Sequence, residues 1–246
     1  MVTMEYDITG DNLQIVTLRL SEGERVYAEA GAMNHMSDNI QMEAKVRGGL
    51  LKGLMRKLAG ESLFMTEFTP RGGPGYVAFA GNVPGKIKPI ALGGGSEFIA
   101  QKDAFLCAES GVNLEITFTK RLGAGFFGGE GFILEKLSGD GVAFIHACGD
   151  FVEMELKAGE VIKVDTGSVV GFDASVEYDI TTAGGIKSML FGGEGIFLTR
   201  LRGPGRVILQ SLSLANLAAA LFPHMPLKQG GTSGGRGIGL GTLLGD

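Results

Sequence analysis

Residues 96–115, SEFIAQKDAFLCAESGVNLE, have two relatives elsewhere in the same chain: residues 24–43, ERVYAEAGAMNHMSDNIQME, and residues 160–179, EVIKVDTGSVVGFDASVEYD. The three stretches align without gaps, and apolar or small residues recur at the same places, as at Met33, Phe105 and Val169. Repetition within one chain is typical of structural units that cannot bury their apolar faces alone. The sequence therefore predicts three tandem modules that pack side by side.

The last part of each stretch alternates apolar and polar residues with period two. The alternation covers residues 40–46, 112–118 and 176–181, and a second set of apolar runs follows at 76–80, 142–148 and 207–210. Such alternation indicates strands with one buried face, as in antiparallel sheets. We expect a mainly all-β protein whose modules span residues 1–85, 86–152 and 153–222, followed by a Gly-rich tail at 223–246.

Two segments have helical spacing instead. Residues 48–59 carry leucines at helical intervals with Lys52, Arg56 and Lys57 between them, which predicts a short amphipathic helix in the first module. Residues 211–222 predict a closing helix, with Ser213 as its N-cap and Pro223 as its stop.

Composition excludes several classes of protein. The chain has 246 residues, of which 42 are Gly, but only 7 Pro and no three-residue Gly period, so it is not collagen. With 44% hydrophobic and 20% charged residues it has ample material for a core. The net charge of −5 disfavours nucleic acid as a partner. Two cysteines, Cys107 and Cys148, are too few for a disulfide framework, and no signal peptide is recognised, so we expect a cytoplasmic protein.

A family resemblance rests on three features. They are the threefold arrangement, the element FGGEG at residues 127–131 with its copy at 191–195, and the apolar helix before Pro223. Over about residues 3–225 the chain resembles the altered-inheritance-of-mitochondria twenty-four family. The resemblance implies modules similar to the tryptophan RNA-binding attenuation protein, a short double-stranded β-helix fold that forms rings. It further implies a homotrimer with a pseudo-symmetric ring of nine modules, and it implies no reaction.

The Gly-Gly-Glu-Gly element supplies the best repeated polar position, at Glu61, Glu130 and Glu194. A carboxylate among glycines can accept backbone N–H groups and hold a turn, or it can line a groove between modules and contact a small ligand. Repetition favours the structural interpretation, because an enzyme seldom needs its catalytic carboxylate three times per chain.

The helix with Lys52, Arg56 and Lys57 is the local positive cluster, and it also has two interpretations. It is a solvated helix face, or it is a basic rim that contacts an anionic membrane surface or RNA and gains strength from several copies in a ring.

The remaining candidates give no site. Residues 123–128 match the dinucleotide pattern G-x-G-x-x-G, but the equivalent positions in the third module are Lys187, Met189 and Gly192, and a strand follows where a helix is needed. His146 and Cys148 share one strand face without a third ligand.

We predict no catalytic, cofactor-binding or metal-binding residue. The leading hypothesis is a non-enzymatic, self-assembling β-ring that serves as a scaffold or interaction platform. The alternative is a binding module for a small ligand in the grooves between modules, or for anionic lipid or RNA at the basic rim. An enzyme of unknown type is the third hypothesis. The expected partners are the chain itself and a protein partner or an anionic membrane surface.

Overall fold

The computed structural model describes residues 4–46, 64–120, 132–183 and 196–224, and most of them form strands. The strands are β1 (Glu5–Thr9), β2 (Ile15–Leu20), β3 (Val26–Glu29), β4 (Met33–Met36), β5 (Ile40–Val46), β6 (Phe64–Pro70), β7 (Gly75–Ala80), β8 (Gly85–Leu92), β9 (Phe98–Gln101), β10 (Phe105–Glu109), β11 (Val112–Lys120), β12 (Phe132–Gly139), β13 (Gly141–Cys148), β14 (Phe151–Leu156), β15 (Val161–Asp165), β16 (Val169–Asp173), β17 (Glu177–Ala183), β18 (Ile196–Arg202) and β19 (Gly205–Gln210). One α-helix, α1, spans Leu214–Leu221.

The expected all-β fold is confirmed, and its strands lie where the alternating pattern placed them. The period-two segments form β5, β11 and β17, and the second set of apolar runs forms β7, β13 and β19. Strands β5, β11 and β17 pair antiparallel with β6, β12 and β18. The alternation matches burial best in β11 and β17, whose described polar residues are exposed, whereas β5 exposes the apolar Met42 and β13 is buried on both faces.

Strands β2 to β19 form three groups of six with the same pairing. The first group is β2–β7, the second is β8–β13, and the third is β14–β19. In each group the sixth strand lies between the first and the third, and the fifth strand lies between the second and the fourth. Each group therefore contributes two three-stranded sheets, and β1 adds a strand beside β2 in the first group.

Neighbouring groups share their sheets. Strand β3 of the first group pairs with β10 of the second, and β9 of the second pairs with β16 of the third. These two pairings create six-stranded sheets with the orders β5-β6-β3-β10-β13-β8 and β11-β12-β9-β16-β19-β14. A four-stranded sheet, β1-β2-β7-β4, and a three-stranded sheet, β15-β18-β17, lie at the two ends of this series.

The core also crosses from group to group. One buried cluster contains Tyr27 from the first group, Phe98 and Ile145 from the second, and Ile208 from the third. Because these side chains exclude water together, no group has a complete core of its own.

The closing helix begins where the sequence predicted. Ser213 is its N-cap, and the Ser213 hydroxyl accepts a hydrogen bond from the backbone N–H of Asn216 at 3.2 Å. Pro223 does not end the helical backbone, because a 3₁₀ turn continues through Phe222–His224. The α-helix ends at Leu221, two residues before the proline. The basic helix predicted at residues 48–59 lies outside the described residues.

Candidate functional site

The pairing of β3 with β10, which we call joint 1, connects the first two groups. Its register places Cys107 opposite Ala28 and Ala108 opposite Tyr27. The backbone N–H of Ser110 extends the pairing by donating to the carbonyl of Arg25 at 2.9 Å. The buried Tyr27 hydroxyl donates to the Val112 carbonyl at 3.1 Å. Joint 1 therefore combines main-chain pairing with buried side-chain packing.

The pairing of β9 with β16, joint 2, repeats this register at equivalent positions. Gly171 lies opposite Ala100 and Phe172 opposite Ile99, and the Ala174 N–H donates to the Glu97 carbonyl at 3.2 Å. A Cβ at Gly171 would lie 2.5 Å from the Phe98 ring and 2.6 Å from the Ile99 carbonyl oxygen. Glycine at this position therefore allows the two strands to approach closely.

Strands β4 and β15 are the counterparts of these joint strands at the two ends of the series. Strand β4 corresponds to β10 and β16, and β15 corresponds to β3 and β9. Within the described residues neither β4 nor β15 has a strand on its outer side. We call these two outer sides the open edges.

The remaining sheet edges differ from the open edges in one respect. Strands β5, β11 and β17 are outermost in all three groups, and β8 and β14 are both outermost. Among the described residues each of these edges thus has at least one unpaired counterpart, although β2, the counterpart of β8 and β14, pairs with β1. Only at β4 and β15 is an edge unpaired in one group and paired at both equivalent positions in the described parts of the chain.

The strands at the open edges are also less buried than their counterparts in the joints. The first four residues of β10 and of β16 are buried, whereas β4 exposes Asn34 and His35 and half-buries both of its methionines. Similarly, β9 is buried throughout, whereas β15 exposes Lys163 and Asp165. Lys163 occupies the position held by Tyr27 and Ile99 in the joints, so the exposed positions of the open edges carry polar side chains.

Strand β4 nevertheless has the shape of its paired counterparts. A bulge interrupts its pairing with β7 between Met33 and His35, and bulges lie at the equivalent places in β10 and β16. A bulge re-aims the strand that contains it. The backbone of β4 therefore has the same bulge as β10 and β16, although no strand lies on its outer side among the described residues.

The residue that ends each third strand forms another equivalent contact. The Ser37 hydroxyl accepts the Tyr76 N–H at 3.0 Å, and the Asp173 carboxylate accepts the Arg206 N–H at 3.0 Å. Glu109 has this role in the second group, where burial raises its pKa and the hydrogen bond from Val142 opposes the rise. These contacts fix the ends of β4, β10 and β16 to the sixth strands beside them.

The structure does not describe the candidate residues that the sequence predicted. Glu61, Glu130, Glu194, Lys52, Arg56 and Lys57 all lie outside the described residues, so their roles stay predictions. Sequence reasoning did not select the open edges. The alignment of the three stretches did contain a signal for these edges. It places the polar residues Asn34, His35 and Lys163 where the other copies have apolar or small residues.

His146 and Cys148, which share a face of β13, are both buried. Burial lowers the pKa of His146 and raises that of Cys148. A Cβ at Gly81 would lie within 2.5 Å of the His146 ring, so the imidazole packs against the chain leaving β7. No group of three or more His, Cys, Asp and Glu that could hold a metal is found in the described part of the chain.

An open depression of about 490 Å³ lies in the first group, beside Met4, Arg19 and Tyr76. Arg19 is paired there with Glu5 and Asp7 at 3.3 and 2.8 Å. The depression is lined by residues around β1, β2 and β7 only, so it is not a groove between groups. None of the described helices is both long and apolar enough to cross a membrane.

The fold defines a class of protein: a single chain of antiparallel strands in three equivalently paired groups, with an open edge at each end. Comparison with known proteins gives the family. The family model described as mitochondrial biogenesis AIM24 matches residues 6–212, and the chain belongs to this family.

Two streptococcal proteins are similar to it. An uncharacterised protein of Streptococcus pyogenes serotype M6 is 28% identical over 220 residues, which are 86% of this chain and 87% of that protein. A crystal structure of a protein from Streptococcus pyogenes is 26% identical and has a TM-score of 0.73, covering 90% of this chain and all of the other. Similarity to the tryptophan RNA-binding attenuation protein stays a prediction.

Proposed function

We propose that this chain is a self-assembling scaffold in which β15 of one copy pairs with β4 of the next. The observation that supports the proposal is the contrast between two joints and two open edges built from equivalent strands. A joint that is formed twice within the chain has one unpaired strand of each kind left over, and those two strands are complementary.

The internal joints give the register of the proposed interchain joint. Transferring their pairs to the open edges places His35 opposite Val164 of the next copy, Met36 opposite Lys163, and Ser37 opposite Ile162. The Asp38 N–H then donates to the Val161 carbonyl, as Ser110 donates to Arg25 in joint 1. Every residue of the proposed joint thus has a counterpart that is already paired.

The proposed assembly is a closed ring. A head-to-tail contact generates a ring when its rotation closes and a filament when it does not. The family resemblance favours three chains, hence nine groups of strands in one ring. The ring would display the segments with Lys52, Arg56 and Lys57 three times, which is how a scaffold could present a partner surface.

Energetics favour further contacts beside the strands. A few backbone hydrogen bonds contribute about 1 kcal/mol each, and completing the burial of Ile162 and Val164, which are already half-buried, contributes less than the about 1.5–3 kcal/mol of a fully exposed side chain. Association costs about 4–15 kcal/mol in lost freedom. Strand pairing alone is therefore marginal, and a stable ring needs additional apolar surface at the same interface.

A proline and an alanine at one position test the proposal. Hydrogen-bonded pairs alternate along an antiparallel ladder, and Ser110 with Arg25 sets the phase, so the Lys163 N–H is expected to point across the interchain joint. Lys163→Pro removes that N–H and Lys163→Ala keeps it. Light scattering with size exclusion should give about 77 kDa, three times the chain mass of 25.7 kDa, for the wild type and for Lys163→Ala.

Lys163→Pro should elute as a folded monomer, with circular dichroism confirming that its strands remain. A wild type that stays at 25.7 kDa over the accessible concentration range would reject self-assembly. An oligomer that Lys163→Pro leaves intact would reject β15 as the joint strand.

A further inference from the structure

Helix α1 carries an apolar stripe that packs against no other element among the described residues. Leu214, Leu217 and Leu221 recur at helical spacing, and Phe222 follows directly. The exposed fractions are 47% for Leu214, 54% for Leu221 and 42% for Phe222, and no residue of α1 is buried. Because contiguous exposed apolar surface marks an interaction site, the stripe requires an occupant.

The position of α1 relates it to an open edge. Ser213, its N-cap, lies beside Gly167, since a Cβ there would be 3.1 Å from the Ser213 Cβ. Gly167 follows Asp165, the last residue of β15, by two positions. The Gln210 side chain also donates to the Gly167 carbonyl at 2.8 Å. The helix therefore starts at the end of the strand that carries one open edge.

A second series of contacts connects the starts of the first strands in each group. Leu13, before β2, bridges to Gly85 at the start of β8, and Gly85 bridges to Gly149 before β14. The Gln14 N–H donates to the Gly85 carbonyl, and the Lys86 N–H donates to the Gly149 carbonyl, both at 3.2 Å. Each group thus contacts the next through one equivalent position.

Continuing this series across the interchain joint places Leu13 of the next copy beside Gly149. Gly149 itself lies against the segment leading into α1, because a Cβ there would be 2.4 Å from the Ser211 hydroxyl and 3.6 Å from the Leu212 Cβ. Leu13 is 70% exposed in its own chain. The series therefore brings the exposed Leu13 of the next copy close to the start of the exposed helix α1.

We infer that the α1 stripe is a docking surface for a second copy of this chain, with Leu214 packing against Leu13 of that copy. This inference rests on the proposed head-to-tail assembly. It supplies the apolar contact that strand pairing alone lacks, and it explains why a helix with an apolar face projects from the end of the third group. Asp150 is the counterpart of Gln14 and Lys86, and its N–H already donates to the Ser211 hydroxyl within the chain at 2.9 Å. The inferred contact with the next copy is therefore one of side chains and does not repeat the backbone hydrogen bond.

A double-mutant cycle tests the contact. Sedimentation velocity gives the concentration of chain at which half the protein is assembled, for the wild type, Leu13→Ala, Leu214→Ala and the double variant. Each single variant should raise that concentration about tenfold, because each removes one buried leucine at the interface. The double variant should resemble the singles, because each change removes the same contact.

Asn216→Ala is the matched control, since Asn216 lies on the opposite side of α1 and is exposed. It should assemble as the wild type does. Single variants that assemble normally, or effects that multiply to about a hundredfold, would overturn the inference while leaving the strand joint intact. A wild type that never assembles would instead reject the proposed function.

A membrane is the other occupant that an apolar helix admits, and vesicles distinguish it. Flotation with vesicles containing phosphatidylglycerol should recover the wild type and Leu214→Ala equally. Assembly unchanged in Leu214→Ala together with lost flotation would overturn the inference in favour of a lipid surface.

Discussion

Strands β16 and β4 hold equivalent places in their groups, yet β16 is mostly buried and β4 is not. In β16, Gly171 lies so close to Phe98 and Ile99 that it leaves no room for a Cβ. In β4, His35 occupies the equivalent position. Its exposed ring lies edge-on to Tyr76, with the ring centroids 5.8 Å apart. The backbone bulge is shared, so the difference lies in the side chains and in the partner strand.

The contrast shows how one strand type serves as a permanent joint and as an open edge. Unpaired strand edges attract other chains, and natural proteins protect them with charged or polar residues. Asn34, His35 and Lys163 provide that protection, whereas the joints carry buried apolar or small residues. In the proposed assembly, the polar side chains of these edges would disfavour unspecific pairing, and the shared backbone shape would still accept one specific strand.

The largest expected effect is a loss of folding stability in β16 that the equivalent substitution in β4 does not cause. Gly171→Val should lower the free energy of unfolding by about 3 kcal/mol, because the new side chain meets a ring and a carbonyl that cannot both move. His35→Val at the equivalent open position should change it by less than about 0.5 kcal/mol. Urea denaturation measures both, in the Lys163→Pro background so that assembly does not contribute.

Equal losses at the two positions would show that β4 is as tightly packed as β16. The description of β4 as an open edge would then be wrong, whatever the oligomeric state.

A smaller effect is the dependence of stability on pH. It involves His146, whose ring packs against the chain between the first and second groups. Burial lowers the pKa of His146, so the folded chain binds fewer protons than the unfolded chain. Stability is therefore fully present above the unfolded value of about 6.5 and falls as the pH drops toward the folded value. The loss between pH 6.5 and 5 is at most about 2 kcal/mol.

His146→Gln should remove this part of the pH dependence. Glutamine is the natural residue at the equivalent position of the third group, Gln210. Denaturation midpoints at pH 7.5 and 5 compare the two proteins. The same slope with pH in both would exclude His146 as its source.

The smallest effect concerns one hydroxyl in joint 1. Tyr27→Phe removes the hydrogen bond to the Val112 carbonyl and should cost about 1 kcal/mol of unfolding free energy. Lys163→Ala, at the equivalent position of the open edge, should be nearly neutral in a dilute monomeric sample. A Tyr27→Phe protein as stable as the wild type would show that packing alone holds this end of the joint.

Much of this architecture could be predicted from the sequence, for a physical reason. Strands such as β11 and β17 alternate apolar and polar residues because each has one exposed face, so the local sequence is enough to locate them. The joints could not be located in this way, since pairing β3 with β10 depends on how distant segments meet. The α1 helix was visible from its apolar spacing, but the spacing gave no sign that the stripe stays exposed.

The candidate site could likewise be predicted only in part from the sequence. The alignment of three copies contained the polar residues at 34, 35 and 163, but their meaning required the neighbouring joints for comparison. Glu61, Glu130 and Glu194 were chosen because they repeat, and they stay predictions together with the basic cluster.

The central claim is that β15 of one copy pairs with β4 of the next in the register of the internal joints. His35→Cys and Val164→Cys in one chain test it, because opposed residues in a non-hydrogen-bonded antiparallel pair lie about 4.5 Å apart at Cα, within reach of a disulfide. Under oxidised glutathione the double variant should become a covalent three-chain species on a non-reducing gel, while each single variant stays a single chain. A double variant that remains a single chain, or that links less readily than Met36→Cys with Val164→Cys, would contradict the proposed joint.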